Sequence, residues 1–151
     1  MQQIVITKST KQTQEFAQKF TRTILSEADK DALNAQVLLL YGNLGVGKTS
    51  FMQGFAKGLG IKQRIISPTF LIMREYKARF KNLYHLDLYR ITSEDDLEGL
   101  GIREIFQDKE AIVAIEWPEK LGSLMPKKRW EIYMSTISDN ERKIEITNLS
   151  S

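Results

Sequence analysis

Residues 42–49 read Gly42-Asn43-Leu44-Gly45-Val46-Gly47-Lys48-Thr49. They fill every fixed position of the pattern G-x-x-x-x-G-K-[ST], a phosphate-binding loop. The flanking sequence agrees with that reading. Val37-Leu38-Leu39-Leu40-Tyr41 reads as a buried strand running into the loop. Lys48 to Gly58 reads as a helix leaving it, with Phe51, Met52, Phe55 and Ala56 on one face. Strand, glycine loop and helix, in that order, are what the motif requires.

The residue types suit the chemistry. A helix start offers unpaired amide hydrogens and the positive end of a dipole to an anionic phosphate. Glycine lets the backbone approach phosphate oxygens closely. The nucleotide-binding residues are read as 42–49, extended to Ser50. Lys48 would reach the β and γ phosphates, and Thr49 would place its hydroxyl on magnesium. Without a nucleotide, the two would be a solvated lysine and a helix-terminus threonine. Kinases, switch GTPases, transport ATPases and helicases all use such a loop, so it does not by itself name a reaction.

The bulk properties are those of a globular chain. Its 151 residues suit a single domain spanning 1–151, and 42% hydrophobic with 27% charged residues is ordinary composition. There is no cysteine, which excludes disulfide partners, thiolate catalysis and cysteine metal sites. No run approaches membrane-spanning length and the first nine residues lack a signal-peptide core, so the expected location is cytoplasmic, away from membranes. A net charge of +3 is too small to indicate nucleic-acid binding. Lys127-Lys128-Arg129 reads as a solvated turn before a strand.

Along the chain, strands are expected at 3–7, 36–41, 70–76, 82–89, 111–115, 129–135 and 143–148. A helix capped by Ser9 or Thr10 runs to about Leu25, with Phe16, Phe20 and Ile24 on one face. Ser93-Glu94-Asp95-Asp96 opens another helix, which Gly99 and Gly101 interrupt before a piece carrying Ile102, Ile105 and Phe106. The order predicts an α/β fold: a three-layer sandwich of the P-loop NTPase type around a mostly parallel central sheet, with antiparallel strands added.

Two carboxylates are candidates for the rest of a phosphate-processing site. Ala111-Ile112-Val113-Ala114-Ile115-Glu116 has Walker B form, an apolar strand ending in an acid. In a parallel sheet it would deliver Glu116 to the edge that holds the phosphate loop. Glu116 is read as a magnesium-binding or water-positioning group; alternatively it is a carboxylate on an ordinary strand end. Asp87, in His85-Leu86-Asp87-Leu88-Tyr89-Arg90, is the second acid; alternatively it faces solvent or pairs with Arg90. His85 shares its face and is assigned a structural role. Thr69, after Pro68, is either a γ-phosphate-sensing threonine or a turn residue.

Together, residues 42–49, Ser67-Pro68-Thr69-Phe70, His85 to Arg90, and Ile115-Glu116-Trp117-Pro118-Glu119 resemble the TsaE (YjeE) family over residues 3–149. The resemblance implies a small ATPase that binds ATP and magnesium. It would hydrolyse ATP weakly alone and act with the TsaB and TsaD proteins in threonylcarbamoyladenosine modification of transfer RNA. Contact with transfer RNA would be indirect, through the complex. By motif match, Lys48, Thr69, Asp87 and Glu116 would serve hydrolysis. Thr49, Asp87 and Glu116 would hold magnesium, and Trp117 would stand beside the nucleotide. The family loop usually reads Gly-Asp-Leu-Gly-Ala-Gly-Lys-Thr. Here Asn43 and Val46 depart from it, and the Asn43 change bears on hydrolysis more than on binding. The competing functions are a small-molecule kinase, for which no arginine-rich lid is evident, and a nucleotide-controlled binding module without important hydrolysis. The guanine-selecting sequence Asn-Lys-x-Asp is absent.

Overall fold

The computed structural model describes residues 2–27, 32–68, 71–79 and 81–149. Seven strands form one mixed sheet: β1 (Gln2–Thr7), β2 (Gln36–Tyr41), β3 (Met73–Tyr76), β4 (Asn82–Asp87), β5 (Ala111–Glu116), β6 (Arg129–Thr136) and β7 (Arg142–Leu149). Their spatial order is β1-β7-β6-β2-β5-β4-β3. The middle four, β6, β2, β5 and β4, run parallel, and β3, β7 and β1 add antiparallel pairs at the two sides. This is the expected α/β sandwich. Every residue of β5 is buried, which explains its continuous apolar run.

Helices α1 (Thr10–Ser26) and α2 (Lys48–Gly58) cover one face of the sheet. The Ser9 hydroxyl accepts a hydrogen bond from the Gln12 amide, and the Gln12 side chain accepts one from the Lys8 amide. Both bonds satisfy donors at the helix start. Phe20 packs edge-on against Trp130 and lies among Phe16, Phe51 and Phe55. The two helices approach closely at Gly54 and Gly58. A Cβ on Gly54 would fall 2.1 Å from the Gln14 carbonyl oxygen, and one on Gly58 would fall 2.1 Å from Thr21 Oγ1. Glycine is required there by space.

Helices α3 (Glu94–Gly99) and α4 (Ile102–Phe106), with 3-10 turns over Pro118–Leu124, cover the opposite face through Leu97, Ile102, Ile105 and Leu121. Ser93 caps α3 through the Asp96 amide, as its sequence predicts. The 3-10 turns were not foreseen.

Two strands are shorter than expected. The strand predicted at 70–76 begins at Met73, because the Leu71 and Ile72 amides donate to the Pro68 carbonyl in a turn. The strand predicted at 82–89 ends at Asp87, because the Asp87 side chain accepts the Tyr89 amide and turns the chain. Phe70 and Thr69 lie outside the described residues. Lys127 and Lys128 are exposed, as the solvated-turn reading requires.

Candidate functional site

The loop at 42–47 leaves the carboxyl end of β2 and enters α2 with Gly47 in the left-handed region at φ 106°. Gly42 is constrained from two sides. A Cβ there would lie 2.8 Å from both the Met134 carbonyl oxygen and Val46 Cγ1. Val46 is buried against this corner, whereas Asn43, Leu44 and Gly45 are exposed. The larger side chain at position 46 is therefore accommodated inside the fold, and the Asn43 departure lies on the open side of the loop. Thr49 and Ser50, half-buried, form the first turn of α2 with Lys48.

Lys48 is 5% exposed, so it is not a solvated surface lysine. Its Nζ donates to the Gly42 carbonyl at 2.7 Å, closing the loop on itself, and stands 4.7 Å from the centre of the Trp117 ring. Trp117 is joined to the end of β5 and has φ 57° and ψ 50°, a conformation that costs a bulky residue energy. Pro118 begins the 3-10 turns immediately after it. Tyr89 packs on the other side of this corner, 5.0 Å from Trp117.

The two carboxylates meet at the same edge. β4 and β5 run parallel with Asp87 opposite Glu116, and β2 and β5 run parallel with Leu40 opposite Glu116. Glu116 thus stands beside Leu40, which lies two residues before the glycine loop begins at Gly42. Each acid is 4% exposed. Asp87 does not face solvent, and its strand position is fixed by a hydrogen bond from its backbone amide to the Ile72 carbonyl at 2.8 Å. His85 is fully buried, and its Nε2 lies 2.7 Å from Glu116 Oε2. The histidine therefore supports Glu116 rather than Asp87. Magnesium binds one or two carboxylates and keeps waters and phosphate oxygens as its other ligands. Asp87 and Glu116, two buried acids beside the glycine loop, are the residues that could hold such an ion. Among the described residues no three His, Cys, Asp or Glu side chains form a metal cluster.

Beneath the loop, Tyr41 and Tyr133 are paired across β2 and β6 and stack at 4.4 Å with their planes 6° apart. Burial, then the Glu131 carboxylate and Tyr133, push the Tyr41 hydroxyl up to about 12, which keeps it neutral. Arg142 at the start of β7 donates from Nε to the Val46 carbonyl at 2.9 Å. Sequence reasoning missed this residue, since its contact with the loop joins distant parts of the chain and carries no motif.

The family model described as "Threonylcarbamoyl adenosine biosynthesis protein TsaE" matches residues 7–144. The chain belongs to the TsaE family. The TsaE of Bacillus subtilis is 39% identical over 127 residues, covering 84% of this chain and 78% of that protein. The TsaE of Rickettsia bellii is 34% identical over 144 residues, covering 95% and 93%. The crystal structure of Bacillus subtilis YdiB superposes with a TM-score of 0.76 at 29% identity, covering 99% of this chain and 87% of that one. Membership of TsaE connects the chain to threonylcarbamoyladenosine biosynthesis, as the four sequence motifs implied. Among the described residues no helix is long and apolar enough to cross a membrane.

Proposed function

We propose that this chain is a magnesium-dependent ATPase, weak alone, that supports turnover of the TsaB–TsaD complex in threonylcarbamoyladenosine modification of transfer RNA, in the cytoplasm. The observation that carries this reading is the meeting of three buried charged side chains at one sheet edge. Lys48 comes from the phosphate loop, and Asp87 and Glu116 from neighbouring strand ends. Lysine, aspartate and glutamate are almost never fully buried unless paired, and these three are paired and buried around the start of the glycine loop.

The loop amides and the amino end of α2 would hold the β and γ phosphates. Lys48 would leave the Gly42 carbonyl for the phosphate oxygens, exchanging one acceptor for a more strongly charged one. Thr49, Asp87 and Glu116 would hold magnesium, which supplies neutralisation of the charge on the phosphate oxygens. The oxygen of a water bonds to the γ phosphorus while the bond to the β–γ bridging oxygen breaks. The electron pair leaves with ADP. Glu116, one oxygen of which is tied to His85, would orient that water through the other and accept its proton. Thr69 would sense the γ phosphate from the segment that follows α2. Trp117, already against Lys48, would border the phosphate end of the nucleotide.

Reconstituted modification with TsaB, TsaD and a transfer RNA substrate tests the reading. Lys48→Ala is expected to abolish ATP-dependent multiple turnover. Glu116→Gln is expected to bind ATP yet fail to sustain turnover. Full multiple turnover with Glu116→Gln would assign the chain instead to nucleotide-controlled binding without hydrolysis. Transfer of labelled γ phosphate to a metabolite rather than to water would assign it to the kinases.

A further inference from the structure

We propose that Arg142 is a positioning residue that sets the orientation of the phosphate loop from outside, so that the Gly47 amide faces the nucleotide. The inference rests on the nucleotide-binding reading of the loop and adds a residue to it.

Arg142 is held on both sides by the sheet, opposite Thr136 of β6 and Thr7 of β1. Its guanidinium spans two structures. Nη1 donates to the Ser138, Asp139 and Glu141 carbonyls of the β6–β7 turn, at 3.0, 3.2 and 3.0 Å. Nε donates to the Val46 carbonyl of the phosphate loop at 2.9 Å. The turn carbonyls fix the fork, and the fork fixes the loop.

The consequence follows from peptide geometry. A trans peptide is planar, and its carbonyl and amide point in opposite directions. Drawing the Val46 oxygen toward the hairpin therefore turns the Gly47 N–H away from it. An amide aimed in that direction is available to a phosphate oxygen at the helix start. Gly47, like Gly45 before it, has a positive φ, which glycine adopts without strain. A built Cβ there would lie 3.5 Å from Met134 Cε and 4.0 Å from Arg142 Nε, so the hairpin lies close against this peptide. Arginine is suited to the task because its planar fork donates several bonds at once and is always charged. A lysine keeps the charge but cannot hold the turn and the loop together with the same geometry.

The test uses the full-length chain labelled with nitrogen-15, titrated with magnesium and ADP, alongside calorimetry and nucleotide-free thermal melts. In the wild type, saturation is expected to move the Gly47 amide proton downfield. Arg142→Ala is expected to weaken ADP binding about tenfold, the scale of one charged hydrogen bond. It should also reduce the Gly47 shift at saturation by about half or more, because the amide is no longer held in place. Arg142→Lys is expected to bind with intermediate affinity at an unchanged melting temperature. It decides the matter if the alanine variant does not fold. Wild-type affinity and a full Gly47 shift in the folded variants would overturn the proposal while leaving the nucleotide site intact. Absence of ADP binding by the wild type would overturn both this inference and the proposed function.

Discussion

His85 Nε2 lies 2.7 Å from Glu116 Oε2 across two parallel strands, with both side chains buried. Strand register puts His85 opposite Ala114 and Asp87 opposite Glu116, so the histidine reaches diagonally toward the acid beside Asp87. Among the described residues its Nδ1 has no hydrogen-bond partner, so the bond to Glu116 is the polar anchor of this ring. His85→Ala leaves the carboxylate without this support and is expected to destabilise the fold by about 1–3 kcal/mol. His85→Gln, which keeps a donor, should lose less. Urea denaturation of the two variants measures the difference, and equal stability of His85→Ala and wild type would contradict it.

The α1–α2 contact gives an independent prediction. Gly54→Ala would put a methyl group 2.1 Å from the Gln14 carbonyl oxygen, so the helices must separate. The expected loss is about 1–3 kcal/mol. Gly99, in α3, has open space around its Cβ position. Gly99→Ala is expected to be neutral or to stabilise by up to about 1 kcal/mol, since alanine favours the helix and restricts the unfolded chain. Thermal melts of the two variants should move apart from wild type in opposite directions or leave Gly99→Ala unchanged.

Glu94 gives a pH-dependent signature. Its carboxylate accepts the Ser123 amide at 2.6 Å and the Ser123 hydroxyl at 3.0 Å, and these bonds hold it below the usual carboxylate range. A folded-state value lowered in this way contributes stability above the unfolded-state value and loses it as pH falls through the folded-state one. Glu94→Gln should therefore melt below wild type at neutral pH. The two melting temperatures should converge under acid conditions. A gap that persists or widens there would contradict the assignment.

Much of this architecture is written locally. The phosphate loop, the apolar β5 and the Ser9 and Ser93 caps each rest on a short pattern whose physics is complete within a few residues. β4 was legible as a strand, but its end was not. The Asp87 side chain competes with the ladder for the Tyr89 amide, and alternation alone does not reveal that competition. The place of Glu116 at the edge where the glycine loop leaves β2 was expected from parallel-sheet topology, and the register agrees; Asp87 directly opposite it was not read from topology. The partner of His85 was not legible, because a diagonal bond across strands depends on that register. Arg142 was invisible for a similar reason. Its contact with Val46 exists only once β6 and β7 have folded back beside β2. The 3-10 turns after Trp117 follow from a left-handed tryptophan that no propensity favours.

The central claim is that Lys48, Asp87 and Glu116 form one site for ATP hydrolysis. The most direct measurement is steady-state release of phosphate from ATP, with and without TsaB and TsaD, paired with ATP binding by calorimetry. The wild type should bind ATP and release phosphate only with magnesium present. Asp87→Asn and Glu116→Gln should remain folded and nucleotide-binding while losing about 100-fold or more in hydrolysis, the scale on which positioned acid–base groups contribute. Failure of the wild type to bind ATP, or wild-type hydrolysis in both variants, would contradict the account.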